Sequence, residues 1–72
     1  MKRIPVKAPQ FGVVDTLLAE PGAHVNVGDV IIQLEAMKMR FDVMSEYAGT
    51  VDFVVKLGQT VDEGQYVAYI NT

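Results

Sequence analysis

Residues 30–44 read Val-Ile-Ile-Gln-Leu-Glu-Ala-Met-Lys-Met-Arg-Phe-Asp-Val-Met. Val30, Ile32, Leu34 and Ala36 alternate with Ile31, Gln33, Glu35 and Met37, and Met39, Phe41 and Val43 alternate with Arg40, Asp42 and Met44. A period of two belongs to strands, whose side chains point to opposite faces in turn. Folding the stretch about a two-residue Met37-Lys38 loop sets Ala36 opposite Met39, Leu34 opposite Phe41 and Ile32 opposite Val43, all facing the core. Glu35 then faces Arg40 on the other side, an opposite-charge cross-strand pair. A slip of one residue would carry the core set into water, so the register is well specified.

The loop departs from local rules. A two-residue hairpin loop of type I′ needs positive φ at both positions and normally uses Asn-Gly or Asp-Gly. Met and Lys each cost on the order of 1 kcal/mol there. A chain of 72 residues buries only about 60% of its unfolded surface and has little stability in reserve. Such a lapse marks a candidate functional position. The ordinary reading of a turn lysine is a solvated tip, or a loop wider than two residues.

On either side of the hairpin the chain is one motif written twice. Gly12-Val13-Val14-Asp15 returns as Gly49-Thr50-Val51-Asp52, an offset of 37, and Gly22, Val25 and Gly28 return as Gly58, Val61 and Gly64, an offset of 36. One residue is lost between the blocks. Each copy reads as a Gly-led strand, a Gly turn, a short valine-bearing strand, a second Gly turn and a longer strand. The glycines are expected to supply positive φ. No stretch carries a helical period, so residues 1–72 form one all-β domain, a sandwich or flattened barrel with two similar sheets about a pseudo-two-fold axis. The offset maps Lys38 onto Met1 and to just beyond Thr72. The axis should therefore exchange the Lys38 tip with the chain ends, where Ile4 and Val6 should lie close to Ala68 and Ile70.

Charge and composition exclude several functions. The net charge is −3, with all nine carboxylates between Asp15 and Glu63, whereas nucleic acid and anionic membranes demand clustered Lys and Arg. No apolar run approaches a membrane span and no signal segment opens the chain, which leads us to expect a soluble, cytoplasmic domain without membrane insertion. The lack of cysteine fits a reducing compartment. His24 is the single His, aligned with Thr60 of the second copy, and reads as a turn residue. With one His, one Ser and no Cys, no nucleophilic triad can be assembled, and no metal-ligand spacing appears. An enzyme is not expected.

The segment Glu35-Ala36-Met37-Lys38-Met39 resembles the Ala-Met-Lys-Met signature of biotinyl domains, found in biotin carboxyl carrier proteins and in multi-subunit or fused carboxylases. Ala8-Pro9-Gln10-Phe11-Gly12 resembles that family's Ala-Pro-x-x-Gly opening, and the Gly22–Gly28 and Gly58–Gly64 turns resemble its paired Gly turns. The resemblance implies a flattened barrel of two four-stranded antiparallel sheets with the lysine on a protruding hairpin. It implies that a biotin protein ligase attaches biotin covalently to Lys38, with Glu35, Ala36, Met37 and Met39 in ligase recognition. The implied partners are biotin carboxylase and carboxyltransferase, or a decarboxylating component.

The sister lipoyl domains usually carry Asp-Lys-Ala at the tip, so Met37 and Met39 favour biotin over a lipoyl carrier of a dehydrogenase complex. An unmodified β-sandwich adaptor with an inert Lys38 is the third reading. Arg40-Phe41 stand where the family commonly has acidic or amide residues, and Ser45-Glu46-Tyr47-Ala48 replaces a stretch that often holds Pro. The thumb insertion of some bacterial carriers has no counterpart. No Ala/Pro-rich linker precedes the domain, which suggests an excised piece of a longer chain or a very short free-standing subunit.

Overall fold

The repeat becomes two sheets of one design. A computed structural model describes residues 2–72, so Met1, one of the positions onto which the repeat maps Lys38, lies outside the described residues. The strands are β1 (Arg3–Lys7), β2 (Gly12–Leu17), β3 (His24–Val25), β4 (Val30–Ala36), β5 (Met39–Met44), β6 (Gly49–Phe53), β7 (Thr60–Val61) and β8 (Tyr66–Asn71). One sheet has the order β1-β8-β6-β3 and the other β5-β4-β2-β7, every pair antiparallel. Advancing each strand by one repeat, four strands, converts the first order into the second.

Backbone hydrogen bonds obey the same symmetry. Gly22 N–H donates to the Val51 carbonyl at 2.7 Å, and Gly58 N–H to that of Val14 at 2.8 Å. Gly28 N–H donates to Ser45, and Gly64 N–H to Ala8, both at 2.8 Å. These four glycines have φ between 82° and 89°, where a Cβ would be strained. Gly12 and Gly49 depart from the expectation and serve close approach instead. A Cβ on Gly12 would lie 3.1 Å from Leu34 Cβ, and one on Gly49 would strike the Asn71 carbonyl oxygen.

The residue lost between the two copies is a β-bulge. In β2, Val14 pairs with Leu34 and Thr16 with Gln33, leaving Asp15 unopposed, whereas β6 pairs with β8 without interruption. A second symmetric irregularity corrects the simple alternation. Val30 and Ile32 pair with Met44 and Val43, so Ile31 is an extra residue, and Val67 is its counterpart opposite Val6 and Lys7. Both side chains are fully buried, although strict alternation sets Ile31 outward.

The core is aliphatic: Val14, Ile31, Ile32, Leu34, Val51, Val61, Val67 and Ile70 are sealed between the sheets. Burying each such side chain contributes roughly 1.5–3 kcal/mol before the conformational entropy is counted. Between sandwich and barrel, the fold is the sandwich, because no ladder joins the sheets. Edge strands β1 and β5 flank a cleft lined in part by Pro5, Val6, Met44 and Tyr47, and Pro5 has no N–H to offer a further strand. His24 lies not in a turn but in β3, exposed and opposite Thr50. Ile4 pairs with Ile70 and Val6 with Ala68, and Lys2 and Thr72 exchange backbone hydrogen bonds, so the two chain ends run side by side. The molecule is 37 Å long, and its pseudo-axis exchanges this terminal end with the β4–β5 turn.

Candidate functional site

The β4–β5 hairpin has the register read from its alternation. Ala36 pairs with Met39, Glu35 with Arg40, Leu34 with Phe41, Gln33 with Asp42 and Ile32 with Val43. The loop is therefore Met37-Lys38, and both residues are left-handed, with φ of 52° and 64°. Among the described residues no other non-glycine position has positive φ. A local cost on the order of 1 kcal/mol per residue is thus concentrated on the two residues at the tip. Lys38 is exposed and its amine makes no ion pair among the described residues. Met37 is 95% exposed.

Met39 corrects the inward assignment. It shares the core-facing side with Ala36 but is 59% exposed. Burial along that side of β5 falls from Val43, buried, through Phe41, half-buried, to Met39. Packing against the core gives out toward the tip of the hairpin.

The charges are also arranged differently from the simple pairing. Arg40 stands beside Glu35 in register, yet its ion pair crosses β4 to Asp15 on β2, with Nε 3.3 Å from Oδ2. Asp15 sits at the bulge, and its carboxylate also accepts from Thr16 Oγ1 at 3.1 Å. At the terminal end the symmetric pair is Arg3–Asp52 at 3.0 Å. There Asn71, the counterpart of Glu35, joins in: its Nδ2 donates to Asp52 Oδ2 at 2.8 Å and its Oδ1 accepts from Arg3 at 3.1 Å. The bonds from Asn71 and then Arg3 hold the Asp52 carboxyl below its ordinary range. Glu35 cannot play Asn71's part, because a carboxylate only accepts, and it stays exposed.

Beside the tip lies a cleft that the hairpin pattern does not reveal. It holds about 550 Å³ and is lined by Phe11, Val13, Leu57 and Met37 together with the carboxylates Asp15 and Glu35. The signal for it is present in the repeat, once the copies are compared for their differences. Phe11, Val13 and Leu57 stand where the other copy in each case places Ala48, Thr50 and Pro21.

Comparison with known proteins agrees with the geometry. The family model of the biotin/lipoyl type, described as a biotin-requiring enzyme, matches residues 4–70. The chain is 42% identical over 60 residues to the methylcrotonoyl-CoA carboxylase subunit alpha of Arabidopsis thaliana, covering 82% of this chain and 8% of that protein. It is 35% identical over 67 residues to the biotinylated protein TB7.3 homolog of Mycobacterium leprae, covering 92% of this chain and 94% of that protein. It thus spans a small fraction of the carboxylase and nearly the whole of the short relative. Among solved structures, the urea carboxylase of Kluyveromyces lactis superimposes with a TM-score of 0.90 at 30% identity, over 99% of this chain and 6% of that one. The lipoyl domain of the 2-oxoglutarate dehydrogenase complex of Azotobacter vinelandii does so at 0.77 and 28% identity, over 96% of each chain. With its duplicated sandwich and its lysine on a strained protruding turn, the chain belongs to the biotin/lipoyl family, as a non-catalytic carrier domain.

Proposed function

We propose that Lys38 is the residue that carries biotin, and that the domain moves carboxyl groups between the active sites of a biotin-dependent carboxylase, transcarboxylase or decarboxylase. The observation that carries this reading is the exposed amine of Lys38 on a left-handed turn, within Glu35-Ala36-Met37-Lys38-Met39, in a chain of this family.

The residues fit the modification. The tip has no group that could act on a substrate, so a biotin protein ligase must supply the activated acyl group. The Lys38 ammonium gives up a proton and Nζ attacks the activated carbonyl, forming an amide as the bond to the leaving group breaks. The turn holds the amine clear of the body, flanked by Ala36 and Met39 as closing pair. Met37 and Met39 are flexible, polarizable side chains suited to recognition by several enzymes in succession. Once attached, biotin would supply the ureido nitrogen that accepts and releases carboxylate. Lys38 would then act as a tether, raising effective concentration at a biotin carboxylase and at a carboxyltransferase or decarboxylating partner. A cytoplasmic setting suits a domain without cysteines.

The lipoyl reading rests on the lipoyl-domain likeness at a TM-score of 0.77, and Met37 weighs against it. Intact mass and avidin capture after co-expression with a biotin ligase test the assignment. One biotin adduct is expected, absent from Lys38→Arg. An adduct that persists on the variant, at Lys56 for instance, would overturn it. Met37→Asp should weaken biotinylation; a ligase indifferent to that change would move recognition to Glu35 or to the hairpin position.

A further inference from the structure

We propose that the cleft of Phe11, Val13, Leu57 and Met37 is where the biotin-attaching enzyme docks, through an apolar side chain flanked by lysine or arginine. This rests on Lys38 being the acylated residue.

The first ground is a broken symmetry. Phe11, Val13 and Leu57 are 56%, 38% and 63% exposed, and Met37 almost wholly so. The backbone is duplicated faithfully at the other end, yet there the same positions hold Ala48, Thr50 and Pro21. Folding requirements common to both copies therefore do not call for this apolar surface.

Leu57 makes the point locally. It is the second residue of the turn Lys56-Leu57-Gly58-Gln59, closed by Gln59 N–H to the Lys56 carbonyl at 3.1 Å, with Gly58 at φ 85°. That is a type II turn, and its second position favours Pro. The twin turn, closed by Ala23 N–H to Glu20 at 3.0 Å, has Pro21 there. An exposed leucine in this place is a poorer turn residue and a better contact.

The second ground is reach. Before modification the target is a lysine side chain on a rigid turn, so the acylating active site must close over the tip itself. A stable interface needs on the order of 800 Å² per partner, more than a two-residue turn offers, and this cleft adjoins the turn, since Met37 lines it. Partners that use the carried group meet it at the end of a long arm and have no such need. The third ground is charge. Glu35 lines the cleft and makes no ion pair among the described residues, whereas Asp15 is already held by Arg40. A basic side chain on the partner complements Glu35.

The test exchanges surface residues between the two ends. Phe11→Ala, Val13→Thr and Leu57→Pro together install side chains that the fold already uses at the twin positions; Ala48→Phe, Thr50→Val and Pro21→Leu make the reverse exchange. Biotinylation is followed at saturating biotin and ATP with the domain varied, and folding by thermal melting. The first triple should raise KM for the domain tenfold or more with kcat within twofold, and the reverse triple should leave both within twofold. If the first triple does not fold, Leu57→Ser, confined to an exposed turn, should still raise KM severalfold. Parent KM should rise with salt. A folded first triple with parental KM, or a salt-independent KM, overturns the proposal. So does normal biotinylation of the triple followed by slowed carboxyl transfer, which would give the cleft to a carboxylase. A parent that takes up no biotin overturns the Lys38 assignment as well.

Discussion

The two ends of the molecule are built on one backbone plan and finished in opposite ways. At the terminal end Arg3, Asp52 and Asn71 close a mutual network, with the Arg3 guanidinium 4.2 Å from the centre of the Tyr69 ring. At the Lys38 end the corresponding Arg40–Asp15 pair survives, but Glu35 replaces Asn71 and apolar side chains replace small or polar ones. Backbone symmetry is a folding device, since each half of the chain gives two strands to each sheet and the halves interlock. Side-chain asymmetry is the ground on which we assign the partner-facing end. The end that ties the chain together satisfies its polar groups internally; the other leaves a strained turn, an unshared carboxylate and exposed methionines.

The sharpest break of that comparison is at the tip. Lys38→Arg should abolish biotin incorporation entirely while the melting temperature stays within a few degrees, because guanidinium is too weak a nucleophile and the side chain is exposed. Intact mass and calorimetry read both outcomes, and a melting transition lost along with the biotin would make the tip structural.

Next come the two strand-leading glycines. A Cβ on Gly49 meets the Asn71 carbonyl oxygen and lies 2.9 Å from Ile70 Cγ2, while one on Gly12 lies 3.1 Å from Leu34 Cβ and 3.2 Å from the Glu35 carbonyl oxygen. Gly49→Ala should cost about 3 kcal/mol and Gly12→Ala about 1–2 kcal/mol, by overpacking. Urea unfolding at constant slope measures the difference. The reverse order would show that the tip end, not the terminal end, is the tighter one.

Relief of the turn is a smaller effect of opposite sign. Replacing Met37-Lys38 by Asn-Gly should stabilise the domain by about 1–2 kcal/mol and remove all biotinylation. A destabilised variant would show that the left-handed pair is held by contacts beyond the turn.

The smallest effect concerns acid. The Asp52 pKa is lowered in the folded state, so this group contributes stability above its unfolded value of 3.8 that is lost as pH falls through the lower folded value. Asp52→Asn should therefore flatten the fall of melting temperature below about pH 4. An NMR titration placing the Asp52 carboxyl at its ordinary value would contradict the Asn71–Arg3 network.

What the sequence alone determined is the set of features that depend on neighbours along the chain or on the repeat. The register from Ile32 to Val43, the two-residue loop and its left-handed strain, and the pairing of Ile4 and Val6 with β8 all follow from periods and offsets. Other features needed three dimensions. The bulges at Asp15, Ile31 and Val67 leave the strand pattern intact on either side, so alternation counts straight through them. Arg40 reaches Asp15 across β4 rather than its register partner Glu35, as Arg3 reaches Asp52 across β8, and pairing along one hairpin does not show a contact between strands two apart. Met39 looks like a core residue by period, but burial depends on what packs against it in three dimensions, and it is 59% exposed. The cleft gathers Phe11, Leu57 and Met37 from three separate loops, and no periodicity within a single segment can bring such residues together.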